Sequence, residues 1–380
     1  MPVGVSPRER IAADNVKQAL RWQFLRLSRD IIMQIKFLAS AVAAALLSVA
    51  AQAEVTIGGF IQAEVSYNDN QTDADGKQDF YQNLYDVGSD IRVQGSHDVT
   101  ATGKFQWEIS TYLDKDMAPA SLAFLGDRKL YVRYADSELG SLTVGRDDSP
   151  MRMAFNRYDI FNGYASLGTV FNRNSTSRPS NQVKYVSPKM NGLTVRVAGL
   201  FGTTDGTSEP ERGYHGTVSY DVNPMFNFDL GMSVENDRGE INGKDRDAWL
   251  AGVRGELMPN LTYGIAYVNA SNWAAAGASE SKNWMVAETL QYVMGDHTFR
   301  MGHSHEDASA ANLYLLGYEY ALPEVAMGAT KISSALYLEL SHIDNKAGGD
   351  RVTGNDTDGV MLTTAGTDPT TLAAGFYISF

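Results

Sequence analysis

The chain has 380 residues, of which 43% are hydrophobic and 20% are charged, and it contains no cysteine. The apolar content excludes a disordered chain, and the absence of cysteine excludes disulfides, thiolate catalysis and cysteine-ligated metals. With 32 Lys and Arg against 45 Asp and Glu, the net charge of −13 argues against nucleic acid as a partner.

The first organised segment is an apolar run over residues 33–53. Lys36 precedes a stretch of Phe, Leu, Ala and Val, and the run ends on the small-x-small triplet Ala-Gln-Ala. This pattern is typical of a secretory signal peptide, whereas a membrane anchor needs about 20 apolar residues. We expect residues 33–53 to be removed, the mature chain to begin at Glu54, and the Arg-rich residues 1–32 to be a misassigned or unstructured extension.

From Glu54 onward, apolar residues recur at every second position, which predicts β-strands. In the opening strand Ile57 and Ile61 fall on one face, and Gln62 and Glu64 fall on the other. Where charged residues alternate in this way, their face of the strand must meet water. The predicted strands cover residues 54–67, 84–98, 101–113, 126–136, 139–147, 179–187, 192–201, 213–222, 225–236, 245–257, 260–270, 281–294, 297–305, 310–322, 329–343 and 369–380.

The connections between these segments alternate between short and long. An even number of strands joined in this way predicts an all-β fold, a transmembrane antiparallel up-and-down β-barrel of sixteen strands. A secreted β-sandwich or propeller is the alternative, but segments of ten or more residues exceed the ~5–6 residues of most soluble strands. Tight turns are predicted at residues 136–139, 188–191, 223–224, 258–260 and 295–296, and long polar connections at residues 68–78 and 345–366.

The last strand has a distinctive end. Apolar side chains occupy alternate positions at Phe376, Ile378 and the terminal Phe380, after Gly375. This ending resembles the C-terminal assembly signal of bacterial outer-membrane proteins. The resemblance implies that the barrel assembly machinery recognises these four residues.

Two motifs in the middle of the chain carry a more specific resemblance. The sequence GSLTVGRDDSP covers residues 140–150, and a second strand motif follows after a long gap. Together with the opening EVTIGGFIQAEVSY, these motifs look like the Gram-negative general porin family, whose members are trimeric sixteen-stranded barrels with an inward-folded third extracellular loop. In that family an Arg-x-x-Asn-x-Val-x-Tyr-x-Ser-Pro strand follows this loop, and its positions are matched by Arg178, Asn181, Val183, Tyr185, Ser187 and Pro188.

The resemblance implies passive diffusion of ions and small hydrophilic solutes through a water-filled pore in the outer membrane. It also implies a homotrimer, contacts with outer-membrane lipid and lipopolysaccharide, and no cofactor. The acidic net charge adds a weak lean toward cations, although the constriction sets the sign of ion selectivity. The alternatives are a substrate-selective channel on the same barrel, a surface-binding barrel with a plugged lumen, and an outer-membrane hydrolase.

The third loop of such porins narrows the lumen, and its counterpart here is residues 147–172, in which residues 150–164 are expected to contain a short helix. Opposed charges across a narrow water-filled gap would create a transverse field that sorts ions. The predicted constriction residues are Asp147, Asp148, Asp159, Arg152 and Arg157 on the loop, and Arg92, Lys129, Arg133, Lys184 and Arg196 on the lumen side of the strands.

Simpler roles for these charges are also compatible with the sequence. A barrel lumen is solvated, so charged residues are tolerated there without a part in selectivity. Asp147 and Asp148 would equally cap the loop helix or pair with Arg146. Arg146 itself is expected to tie the base of the loop to the wall.

Enzymatic motifs are missing from the sequence. It has no nucleotide-binding loop, no zinc motif and no Gly-x-Ser-x-Gly. His303 and His305 share one face of a predicted strand and would suit a metal, but a solvated pair in the lumen is the preferred interpretation. The acidic residues 344–359 fit neither the EF-hand spacing nor the nonapeptide calcium repeat. We therefore predict no catalytic residue and no metal site.

Overall fold

The structure is a computed structural model. It describes residues 54–68, 81–86, 89–113, 126, 128–161, 178–201, 212–236, 246–271, 282–307, 311–327, 330–344 and 368–380. The predicted extension and signal peptide, residues 1–53, lie outside the described residues. Within the described ranges, no helix combines the length and apolar character that a membrane span requires.

Nearly all of the described residues belong to one antiparallel sheet. β2 and β3 both pair with β1, so they are two parts of one barrel strand, and the sheet has sixteen barrel strands. Its segments are β1 Glu54–Asn68, β2 Tyr81–Asp86, β3 Asp90–Asp98, β4 Gly103–Tyr112, β5 Lys129–Asp136, β6 Gly140–Arg146, β7 Gln182–Val186, β8 Leu193–Phe201, β9 Arg212–Asp221, β10 Asn227–Asn236, β11 Arg246–Met258, β12 Leu261–Ser271, β13 Lys282–Met294, β14 His297–Glu306, β15 Ala311–Met327, β16 Thr330–Asp344 and β17 Thr370–Ser379.

The sheet closes on itself through its first and last strands. β1 runs antiparallel to β17, with Phe60 opposite Ser379. At the end of this pair the Gly59 amide donates to the Phe380 carbonyl at 2.9 Å, and the Phe380 amide donates to the Gly59 carbonyl at 3.1 Å. Closure gives every strand two neighbouring strands with which to form hydrogen bonds. A barrel in lipid requires this, because the hydrocarbon offers no partner to an unpaired backbone N–H or C=O group. The predicted sixteen-stranded up-and-down barrel is confirmed.

Short turns collect at one rim, together with Glu54 and Phe380, and we call this end the short-turn rim. The turn between β11 and β12 contains Asn260 at φ 69°, and the turn between β13 and β14 contains Gly295 at φ 60°. Asparagine and glycine tolerate this left-handed conformation, which two-residue hairpin turns need. The opposite end, where the connections are long in sequence, is the long-loop rim.

The two faces of the strands have opposite chemistry. On β1 the side chains of Ile57, Ile61 and Val65 point outward and are 64%, 40% and 52% exposed. Between them, Gln62 and Glu64 point inward and are 3% and 1% exposed. An apolar outer face around a polar interior is the arrangement of an outer-membrane barrel.

The C-terminal strand follows the same alternation. Phe376 points outward and is 42% exposed, while Gly375 faces inward against the ring of Tyr337. Ile378 lies in the outward phase, opposite Ile61 of β1. Thus the apolar residues of the predicted assembly signal lie on the outer face, and Phe380 takes part in closing the barrel.

Candidate functional site in the barrel lumen

A short helix, α1, Pro150–Phe155, follows β6. The Ser149 side chain caps it by accepting a hydrogen bond from the Arg152 amide at 3.2 Å. Pro150 suits the first turn of the helix, because the backbone N–H groups of that turn have no partner within the helix and proline lacks this group. The cap is therefore Ser149, not Asp147 or Asp148, and α1 is shorter than the predicted stretch over residues 150–164, of which the last three lie outside the described ranges.

The apolar side of α1 packs inside the barrel. Met151, Ala154 and Phe155 are 0%, 0% and 3% exposed. They belong to one cluster with inward residues of β11, including Ala248 and Leu250. Burial of these side chains holds the loop segment from Met151 to Phe161 against the wall. Each large apolar side chain contributes about 1.5–3 kcal/mol of stabilisation when it is buried.

Inward-facing glycines make room for this segment, and sequence reasoning missed them. A Cβ on Gly231 of β10 would lie 2.6 Å from Met151 Sδ, and one on Gly252 of β11 would overlap the ring of Tyr158. The only sequence signal was glycine in the inward phase of several strands. Two further glycines have the same relation to the segment, namely Gly264 to Tyr158 and Gly317 to Phe161.

Asp147 is the centre of a buried ion cluster at the base of the segment. Its Oδ2 lies 2.6 Å from Lys184 Nζ and 2.9 Å from Arg133 Nη2, and its Oδ1 lies 3.3 Å from Lys129 Nζ. Asp147 and Lys184 are 2% and 1% exposed. The backbone carbonyl of Asp147 accepts a further hydrogen bond from Gln182. These bonds join the segment to β5 and β7.

Asp148 joins the two ends of the third loop. One carboxylate oxygen lies 3.0 Å from Arg152 Nε and 2.8 Å from Arg178 Nε, and the other lies 2.9 Å from Lys129 Nζ. Arg178 also donates to the Tyr112 hydroxyl at 2.6 Å. The start of the loop, its end and the wall strands β4 and β5 therefore meet at this carboxylate.

The cations of this cluster keep both carboxylates ionised. Burial by itself would raise the pKa of Asp147, but Lys184, Lys129 and Arg133 outweigh it and lower this pKa from its ordinary value. Burial also opposes ionisation of Asp148, and there Arg178 and Lys129 with their neighbours lower the pKa to about 2. Both carboxylates are therefore ionised at neutral pH.

A second contact binds the residues just after α1 to β9 and β10 of the wall. Arg157 lies 2.6 Å from Asp229 and 3.2 Å from Asp221, and the Tyr158 hydroxyl donates to Asp229 at 2.8 Å. Burial and the charge of Asp229 raise the pKa of Tyr158. Sequence reasoning missed both carboxylates, although each lies in the inward phase of its strand. Arg254 Nε completes the group at 4.0 Å from Asp229.

The remaining predicted residues lie apart from the Asp147 cluster. Arg92 pairs with Asp90 of the same strand at 2.9 Å, and Arg196 donates to the Ser219 hydroxyl at 2.8 Å. Asp159 follows the Arg157 contact, near the end of the described part of the loop. The structure thus brings most of the predicted loop and wall charges into direct ion pairs rather than into two rows facing across water.

Arg146 joins the two ends of the loop, as its side chain donates to Ser180 Oγ at 2.6 Å. The two histidines do not lie in the lumen: His303 and His305 alternate with the buried Ser304 and Glu306, so they point outward. The lumen interpretation of this pair is wrong, and we return to these residues below. In the part of the chain that the structure describes, no three His, Cys, Asp or Glu side chains are placed to hold a metal ion.

Comparison with known proteins agrees with this architecture. The major outer membrane protein P.IB of Neisseria meningitidis is 25% identical over 340 residues, which cover 80% of this chain and 93% of that protein. The anion-selective porin from Comamonas acidovorans has a TM-score of 0.69 at 19% identity, with 87% of this chain and 100% of that one covered. OmpF of Salmonella typhi, in its complex with daunomycin, has a TM-score of 0.58 at 15% identity, with coverages of 86% and 97%.

At these identities the two solved structures show the fold alone. A family model described as Gram-negative porin matches residues 39–348, which is most of the chain. The chain therefore belongs to the Gram-negative porin family, whose members are channels of the outer membrane.

Proposed function

We propose that this porin is a general diffusion pore, through which ions and small hydrophilic solutes pass without catalysis or cofactor. The observation that carries the proposal is the closed barrel with a polar interior, into which a tethered segment projects. A polar lumen stabilises water and hydrated solutes, whereas the apolar outer face contacts lipid. The Asp147 cluster and the Arg157 contact hold this segment at the wall, and we infer that it narrows the passage.

The overall charge and the local charge favour opposite ions. The chain carries a net charge of −13, which gives the weak lean toward cations. Around the loop base, however, five cationic side chains surround the two carboxylates of Asp147 and Asp148. Because fields at the constriction decide ion selectivity, we propose that this local excess makes the pore prefer anions. These cations are Lys129, Arg133, Arg152, Arg178 and Lys184.

The same proposal includes the assembly of the protein. Residues 33–53 would direct export, and the terminal strand with its outward Phe376 and Ile378 would be recognised by the barrel assembly machinery. A homotrimer in contact with outer-membrane lipid and lipopolysaccharide is the expected state, by resemblance to the general porins. The outward aliphatic residues of β1, β16 and β17 supply a surface that suits either lipid or another subunit.

Single-channel recording tests this function. Protein purified from outer membranes is inserted into planar bilayers under a salt gradient, where conductance in three equal steps indicates an open trimer and the reversal potential gives the ion sign. Asp148→Asn should shift selectivity further toward anions, and Arg133→Gln should shift it toward cations, because each removes one charge near the passage. A folded barrel that conducts no ions would contradict the diffusion pore and favour a surface-binding barrel.

A further inference from the structure

A group of arginines lies in the lumen beside the loop segment, on the side of the short-turn rim. On β11, Gly252 faces the Tyr158 ring, and Arg254 is the next inward residue toward the turn that joins β11 to β12. Asp229 of β10 lies directly opposite Gly252. Arg196 belongs to β8, close to the short turn that precedes this strand. These arginines come from other strands than the cations of the Asp147 cluster.

Asp229, in the middle of this group, is fully hydrogen-bonded without Arg196 or Arg254. Its Oδ1 accepts from Arg157 at 2.6 Å and from the Ser219 hydroxyl at 2.5 Å, and its Oδ2 accepts from the Tyr158 hydroxyl at 2.8 Å. The side chain is 0% exposed. The carboxylate is therefore occupied by the contact that holds the loop segment.

The two remaining arginines have no carboxylate within hydrogen-bond distance. Arg254 Nε lies 4.0 Å from Asp229 Oδ2, and Arg196 donates to a neutral partner, the Ser219 hydroxyl, at 2.8 Å. In the part of the chain that the structure describes, neither Nε atom has a hydrogen-bond partner. The Arg254 side chain is 33% exposed, so ions in the lumen reach it.

The charges of the group do not balance. Asp221, the second carboxylate, is shared between Lys189 at 2.8 Å and Arg157 at 3.2 Å. Two carboxylates thus stand against four cations, a formal excess of two positive charges. Such an excess is unfavourable where side chains are partly withdrawn from water, and a doubly charged anion would compensate it. The cations are Arg157, Lys189, Arg196 and Arg254.

The type of cation indicates the shape of the anion. A guanidinium presents its N–H groups in a planar fork, which forms two parallel hydrogen bonds with the oxygens of a phosphate or carboxylate. A halide offers one spherical acceptor and cannot use this geometry. Two arginines that converge from opposite sides of Asp229 therefore suit a tetrahedral oxyanion better than chloride.

We propose that Arg196 and Arg254 bind a doubly charged tetrahedral oxyanion of the phosphate type in the lumen. The role of this site in transport rests on the proposed diffusion pore, because it retains one class of solute during passage while other solutes still cross. Arg157 acts as a positioning residue, since its ion pair with Asp229 holds the loop segment beside the site.

Equilibrium dialysis of radiolabelled inorganic phosphate against the full-length protein in detergent tests the proposal, in mildly alkaline buffer where phosphate carries two charges. Arg196→Gln and Arg254→Gln should each weaken phosphate binding about tenfold, as expected for a lost hydrogen bond between charged groups. Both variants should fold, because Asp229 keeps its three hydrogen bonds.

The matched control is Lys104→Gln. Lys104 is an exposed residue in the inward phase of β4, and it lies near the short-turn rim on another part of the wall. Its replacement removes one positive charge from the lumen, as the arginine variants do. Phosphate affinity should stay unchanged, because the fork of donors is intact.

Equal affinity of the wild type and the two arginine variants would overturn the proposal, as would an equal loss in the Lys104 control. Displacement of phosphate by an equal concentration of chloride would also overturn it, because the site would then respond to charge alone.

Single-channel recording separates the site from the pore. Phosphate should reduce the chloride current through wild-type channels but not through the Arg196→Gln, Arg254→Gln double variant. A protein that binds phosphate with the expected losses but passes no current would contradict the pore alone. A conducting protein that binds no phosphate would contradict the site alone.

Discussion

At the scale of single residues, the charges of the Asp147 cluster stabilise the fold, because they form buried ion pairs with one another. Asp147 and Lys184 are almost fully buried, and Arg133 and Lys129 add two further cations. Removing one partner of a buried ion pair leaves an uncompensated buried charge. The free-energy cost of this charge is much larger than the net stabilisation that the intact pair provides. The carboxylate is therefore the member of this cluster whose loss should have the largest effect.

Asp147→Asn should destabilise the barrel by about 3–5 kcal/mol, the usual effect of breaking a buried ion pair. The free energy of unfolding is measured by urea titration of the refolded protein in detergent. The control is Asp98→Asn, since Asp98 is exposed at the short-turn rim and surface substitutions change stability by less than about 0.5 kcal/mol. Similar values for the two variants would show that Asp147 has no such role.

The ion pairs of Asp148, which hold the third loop to the wall, should be sensitive only to strong acid. Its pKa is lowered from 3.8 to about 2 in the folded protein, so its contribution to stability is complete above pH 3.8 and is lost as the pH falls toward 2. We expect single-channel current to be steady from pH 7 to pH 4 and to become noisy as the pH falls toward 2, where the Asp148 carboxylate of the folded protein protonates. Asp148→Asn should be noisy at pH 7, and a wild-type transition above pH 5 would contradict this assignment.

At the scale of elements, α1 and the residues that follow it pack against inward glycines of the wall strands. The segment from Met151 to Phe161 lies along β10, β11, β12 and β15 because each of these strands has a glycine where the segment approaches. The helix is too short to be stable by itself. Its position therefore depends on this wall and on the Arg157 contact with Asp229.

Gly252→Ala should displace the segment, because the new Cβ would overlap the Tyr158 ring and separate its hydroxyl from Asp229. We expect a larger single-channel conductance and a loss of about 1–3 kcal/mol in stability, the cost of leaving a buried polar group unsatisfied. In the control, Gly216→Ala on β9, the nearest heavy atom to the new Cβ is 3.9 Å away. Unchanged conductance in Gly252→Ala would mean that the segment does not narrow the passage.

At the scale of the whole molecule, the terminal residue extends the pairing of β1 with β17 that closes the barrel. Phe380 exchanges two backbone hydrogen bonds with Gly59, and its ring lies beside the same glycine. Each such bond contributes about 0.5–1.5 kcal/mol. An unclosed barrel would also expose two strand edges to lipid, which is unfavourable.

Deletion of Phe380 should lower the yield of folded barrel in the outer membrane and reduce its resistance to heat in detergent gels. Ser379→Ala, which keeps the terminal phenylalanine, is the control. Normal assembly of the deletion variant would contradict both the predicted assembly signal and the importance of this closure.

The strands were predictable because alternation is a local property. A strand that separates water from lipid needs apolar side chains at every second position, so the pattern indicates the strand without knowledge of its neighbours. The boundaries differ most at the end of β15, which extends to Met327 rather than to residue 322, and the predicted strand over residues 84–98 corresponds to β2 and β3. The motifs around residues 140–150 and 178–188 likewise led to the correct family, since they are contiguous in sequence.

The sequence by itself thus determined the barrel, its turns and the family, all of which depend on local patterns. Only the tertiary structure decided which charges meet, because Arg157 and Asp229 are 72 residues apart and contact depends on how the loop enters the lumen. The orientation of His303 and His305 was within reach of the sequence, because the apolar Phe299 and Met301 occupy the same phase of the strand, although Gly-His-Ser-His-Glu by itself is polar in both phases. Only the tertiary structure decided which side chains of β13 and β15 lie opposite these histidines, because that depends on the register of the strands.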